Sequence, residues 1–253
     1  MKQIHPIWDG STCYFYLVVK MSVGKLYTDN VIVGMEDYDR KFLEDMLLVS
    51  NMIHDVKWIL HDEDKGWDHV LVENPTKTLK KKHGVCFEQC GAMAHIWKNI
   101  IKSDVPCYGI FQGIISPKNP PTRLVGHSDF VIEKSKTECF LFTPLSRNTR
   151  IVKYNGINAL YKTLYSAMVS ISTSSIIFGA NDRPYPSVLF DKLKNTDFSP
   201  YDCFLSKYDA TDKSLYDKYN ATQFGSIVAK KYGKIDSSKL NLEKIEVKET
   251  TIV

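Results

Sequence analysis

Of the six cysteines in this chain, at 13, 86, 90, 107, 139 and 203, Cys86 stands where a thiol can act as a nucleophile. It follows Gly84 by two positions and opens an apolar stretch in which Cys86, Cys90, Met93, Trp97 and Ile100 recur at helical spacing. A free thiol has a pKa of about 8.5, and only the thiolate attacks. The positive end of a helix stabilises an anion placed on it. A neighbouring imidazole can take the proton and hold the sulfur as an ion pair. The backbone N–H of Cys86 is one of the first-turn donors that no helical carbonyl satisfies, so it is available to an oxyanion. Gly84 lets the chain turn tightly into the helix and lets a substrate approach. His127 opens an extended segment 41 residues after Cys86 and is the imidazole this pattern offers.

These two residues need a helix and a sheet to hold them. The spacing predicts a helix over about 85–101 with Cys86 at its start, a strand over Cys107 to Ile115, and two more over Ser128 to Glu133 and Glu138 to Thr143. Lys134 to Thr137 makes the turn between the last two, and the prolines of 116–123 make that segment a loop. Upstream, Thr12 to Met21 and Leu26 to Met35 read as a strand pair. Phe42, Met46, Val49 and Ile53 mark an amphipathic helix over 36–56. The polar segment 61–82, broken by Gly66 and Pro75, reads as a loop. Residues 158–171 read as a helix, and 208–253 show little periodicity, the last twenty or so reading as a mobile tail. The domain reading is 1–60 as an N-terminal strand pair and helix, 61–180 as the catalytic core, and 181–253 as a C-terminal extension.

Composition sets the limits. A chain of 253 residues, 43% hydrophobic and 25% charged, fits one large globular domain. A net charge of +4 falls short of a nucleic-acid footprint, and the run Lys80-Lys81-Lys82 reads as a solvated loop. No stretch approaches the roughly 20 apolar residues of a membrane span, and the N-terminus lacks the pattern of a signal peptide. A cytoplasmic setting with free thiols is expected. Cys90, one turn after Cys86, reads as core. Cys86, Cys90, His95 and His127 match no standard zinc spacing, so no metal and no cofactor is expected.

Gly84-Val85-Cys86-Phe87-Glu88-Gln89 resembles the cysteine motif of the transglutaminase-like superfamily, in which Gly-x-Cys opens a helix. Val105-Pro106-Cys107-Tyr108 resembles the family's approach to the first strand of its catalytic sheet, and Gly126-His127-Ser128-Asp129-Phe130-Val131 its histidine strand. The likeness covers about residues 80–165. A more distant resemblance is to arylamine N-acetyltransferases, with Lys82-His83-Gly84 in place of their Arg-Gly-Gly. The resemblance implies an α+β fold with a papain-like core, the Cys86 helix packed on an antiparallel sheet carrying His127. It implies a thiol hydrolase or acyltransferase acting on an amide, isopeptide or thioester of a protein or peptide substrate, through an acyl-enzyme on Cys86.

One departure bears on the third catalytic residue. The family places an Asp about 16 residues after its His, and here that place reads Phe142-Thr143-Pro144. Thr143 is therefore expected to accept the far ring N–H of His127, since antiparallel pairing brings the start of one strand beside the end of the next. Asp129 shares a strand face with His127 by period two, but an adjacent same-face position rarely reaches the far nitrogen. Ser146 and Asn148 are further candidates. Without a carboxylate, the alternatives are a catalytically impaired binding module or a structural component of an assembly.

Overall fold

Asp39 begins the described part of the chain by accepting the Lys41 N–H at 3.1 Å, which caps helix α1, Arg40–His54. The computed structural model describes residues 39–58, 70–115, 124–143, 150–177, 203–240 and 250–251. The strand pair expected at 12–21 and 26–35, and the proline-rich loop 116–123, lie outside these residues. The inner face of α1 is the expected one, with Phe42, Met46, Val49 and Ile53 buried.

The segment expected to be a loop up to Lys82 is structured from residue 70 onward. Asn74 accepts the Lys77 N–H at 3.0 Å, and Pro75 takes the first helical position, so helix α2 forms over Pro75–Lys81. Pro75 reads as a breaker in the sequence, whereas at a helix start its missing N–H costs nothing. Lys82 ends α2 in the left-handed region, φ 55°. The chain then runs as the short strand His83–Gly84, parallel to Lys57–Trp58. These two short strands are β2 and β1, in chain order. The lysine run is thus the end and cap of a helix, with Lys81 paired to Glu73 and Lys82 to Asp55 at 3.3 Å.

Helix α3 follows at once over Cys86–His95 and widens into a π-helical turn, Ile96–Ile100. Strands β3 (Cys107–Ile115), β4 (Leu124–Ser135) and β5 (Glu138–Thr143) then form an antiparallel meander. Strand β6 (Arg150–Tyr154) extends it, followed by helix α4 (Ile157–Ile177). The remaining segments join the same sheet. Strand β7 (Cys203–Tyr208) pairs with β3, and Thr250–Thr251, β8, pairs with β6, giving the order β7-β3-β4-β5-β6-β8. Between them lies helix α5, Ala221–Tyr232, capped by Asn220. The region 208–253, read as showing little periodicity, therefore supplies a core helix, and part of the expected tail is a paired strand. The described fold is α+β, helices packed on an antiparallel sheet.

Alternation along the strands divides the core. Phe111, Phe130, Ile132, Phe140 and Phe142 pack with α1, α3 and α5. Tyr108, Ile110, Val131 and Leu141 pack with Leu160, Leu164 and Met168 of α4. Two glycines on β3 make room for rings from β7: a Cβ at Gly109 would lie 2.3 Å from the Tyr208 ring, and one at Gly113 2.3 Å from Phe204. Among the described residues, no helix is long and apolar enough to cross a membrane.

Candidate active site

Cys86 is the first residue of α3, and four neighbours in sequence set it there. Glu88, fully buried, turns its carboxylate back to accept the Val85 N–H at 2.8 Å and the Glu73 N–H at 2.6 Å. This satisfies a donor at the helix start and ties the segment before α2 to it. A Cβ at Gly84 would sit 2.8 Å from that carboxylate and 2.9 Å from Thr78 Cγ2. Gly84 is therefore required for room rather than for a left-handed turn. Phe87 stacks on Phe224 of α5 with ring centroids 4.8 Å apart, and Gln89 donates to the Val56 carbonyl at 2.9 Å. The whole motif is used in fixing the helix start.

Helix α3 crosses the sheet over β4. The Cys90 thiol donates to the main-chain oxygen of Asp129 at 3.4 Å. Burial pushes the Cys90 thiol far up, so it stays a protonated core group. One turn earlier Cys86 stands close enough to His127 for its sulfur to act electrostatically on the imidazole. Two of the three expected site residues are thus brought together.

At the far ring nitrogen, where Thr143 was expected, the described partner is Asp129. His127 Nε2 lies 3.0 Å from Asp129 Oδ1, both side chains being buried. Asp129, set aside by the sequence reading as too close in sequence to reach the far nitrogen, is the residue that reaches it. The pleat places residues two apart on one face, and here the two side chains come within hydrogen-bond distance. The β4–β5 pairing sets the backbone of Thr143 apart from that of His127. Its last pair is Phe130 with Phe142, so Thr143 follows level with Asp129, not with His127. Ser146 and Asn148 lie outside the described residues.

The other carboxylate oxygen of Asp129 accepts the side-chain amide of Gln112 at 2.5 Å. Gln112 stands on β3 directly opposite His127 in the ladder and is only 2% exposed. Its signal in the sequence is that it is the one amide in an otherwise apolar strand, Cys107–Ile115, a signal that no catalytic motif marks. A buried amide in such a strand must find a buried partner.

Burial alone would lower the pKa of His127. The Asp129 carboxylate, by charge and by hydrogen bond, and the nearby Cys86 sulfur outweigh it and hold the imidazole pKa well above its ordinary value. With Nε2 on Asp129, Nδ1 is the nitrogen left for the sulfur. The chemical capacity of the group is to take a proton from a thiol and keep it on imidazolium beside the resulting anion. Cys86 has no exposed surface, and His127 is 5% exposed.

The chain matches no protein-family model, no curated protein and no solved structure.

Proposed function

We propose that the protein is a thiol-dependent hydrolase or acyltransferase built on a transglutaminase-like, papain-like core, with Cys86 as nucleophile. The observation that carries this reading is the buried Cys86–His127–Asp129 relay, with the cysteine at a helix start. It supplies the carboxylate that the motif comparison left vacant at Thr143. Cys86 Sγ, its proton held by His127, attacks the carbonyl carbon of an amide, isopeptide or thioester. The backbone N–H groups of the first turn receive the oxyanion. His127 returns the proton to the leaving nitrogen or sulfur as that bond breaks, giving an acyl-enzyme on Cys86. Water or an amine then attacks, His127 takes its proton, and the thiol is regenerated. A protein or peptide is the favoured substrate.

Iodoacetamide at pH 6.5 tests this against simple exposure. Cys107 is more exposed than Cys86, but burial pushes its thiol up to about 12, as it does that of Cys139. At pH 6.5 a thiol with that pKa is thiolate in roughly one molecule per few hundred thousand. Cys86 is therefore expected to be alkylated first by peptide mapping, and Cys86→Ala to lose that adduct while the other cysteines keep theirs. Alkylation of Cys107 before Cys86 would remove the catalytic reading.

The complete burial of Cys86 favours a second reading, a catalytically impaired module that retains the relay as a structural network. Its signature is a Cys86 that resists alkylation in the native protein and reacts only in urea.

A further inference from the structure

We infer that Gln112 is a positioning residue for the relay: its amide fixes the Asp129 carboxylate in the orientation that meets His127. The inference rests on the catalytic reading above. Asp129 has two side-chain oxygens and each has one described partner, His127 Nε2 at 3.0 Å and Gln112 Nε2 at 2.5 Å. A carboxylate held only by the histidine would be free to rotate about its Cβ–Cγ bond. Held on both oxygens, it is fixed in plane and in direction.

The backbone makes this arrangement rigid. Gln112 and His127 are a register pair of the β3–β4 ladder, and Asp129 is two residues from His127 on the same strand. The three side chains therefore leave one face of two adjacent, continuously paired strands. Gln112 is buried, so water does not compete for the carboxylate. A neutral donor is also the suitable chemistry. It uses the second oxygen as an acceptor without adding a positive charge that would compete with imidazolium for the Asp129 carboxylate.

Two variants test the assignment in the full-length protein. Gln112→Met keeps length and removes the donor. Gln112→Glu keeps shape and donates only while its own carboxyl is protonated. The readouts are the ¹⁵N titration of His127, identified by its loss in His127→Gln, and the pH profile of Cys86 alkylation by iodoacetamide. In Gln112→Met the His127 midpoint is expected to fall by about one pH unit, the difference between an aligned charge-assisted hydrogen bond and a poorly aligned one. Alkylation at pH 6.5 is expected to fall several-fold.

Gln112→Glu is expected to match the wild type in Cys86 alkylation while its carboxyl is protonated, and to fall below it as that carboxyl ionises and turns from a donor into a like charge facing Asp129. A new charge so near His127 perturbs its titration whatever Gln112 does, so the deciding readout is the alkylation profile: an unchanged profile in Gln112→Glu overturns the assignment even if the Met variant does not fold. Unchanged titration and alkylation in a folded Gln112→Met, with both altered in Asp129→Asn, would overturn the role of Gln112 and leave the relay standing. A wild-type His127 titrating near its ordinary value would overturn the relay itself, and the assignment with it.

Discussion

Replacing Asp129 with Asn changes charge with almost no change in shape, and its effect can be worked from the contacts. The carboxylate accepts from His127 Nε2 and from Gln112 Nε2. An Asn that keeps its oxygen on the histidine turns its NH₂ toward the Gln112 NH₂. Gln112 can answer by rotating its amide half a turn and presenting its oxygen. The number of hydrogen bonds is then preserved, and what is lost is the charge facing the imidazole. A hydrogen bond to a charged group contributes about 1.5–3 kcal/mol and a neutral one about 0.5–1.5. The expected loss is therefore about 1–2 kcal/mol, or roughly one pH unit in the His127 midpoint.

The pH dependence has a definite sign. A histidine whose native pKa is raised contributes stability that is complete below its unfolded value, about 6.5, and is lost as pH rises through the native value. The wild type should therefore exceed Asp129→Asn in urea-unfolding free energy by the full amount near pH 6. The two should converge at alkaline pH. A difference that is constant with pH, or that grows as pH rises, would refute the assignment of Asp129 as partner of the charged imidazole.

Two further outcomes are expected. Gly84→Ala places a methyl 2.8 Å from the Glu88 carboxylate and displaces it from the Val85 and Glu73 N–H groups, at a cost of about 2–4 kcal/mol in urea unfolding. A loss below about 0.5 kcal/mol would mean the helix start has slack the contacts do not suggest. Thr143→Asp should leave the His127 titration where it is, because the far nitrogen is already bonded to Asp129; a rise of half a unit or more by NMR would show that residue 143 faces the ring.

What the sequence made legible follows from which signals are local. The Cys86 helix, the strands 107–115 and 138–143 and the helix α1 are each written in the period of a few consecutive residues. Helix α5 was missed because Phe224 and Val228 are its fully buried large residues, Ala221 and Gly225 showing no apolar period to the eye. Strand β7, Cys-Phe-Leu-Ser-Lys-Tyr, is buried on both faces except at Lys207, so it lacks alternation. At the site, the cysteine and histidine were visible as a helix start and a strand start. The carboxylate is less legible because family spacing points to the next strand, whereas Asp129 on the histidine's own strand makes the contact. Rotamers are set by the packing around them, and no spacing rule carries that information.

The pairing of β7 with β3 also orders events in time. Gly109 meets Tyr208 across the ladder although roughly a hundred residues of chain separate them, a closure whose entropic cost must be met before the contact returns anything. Until it closes, β3 is an edge strand, its two glycines have no rings over them, and one flank of the strand bearing Gln112 lacks hydrogen bonds. A nascent chain on the ribosome can form the Cys86 helix and the meander well before residue 208 emerges, yet β3 gains its second neighbour only afterwards. The geometry around His127 is thus finished late in synthesis, by a segment far along the chain from every residue of the relay.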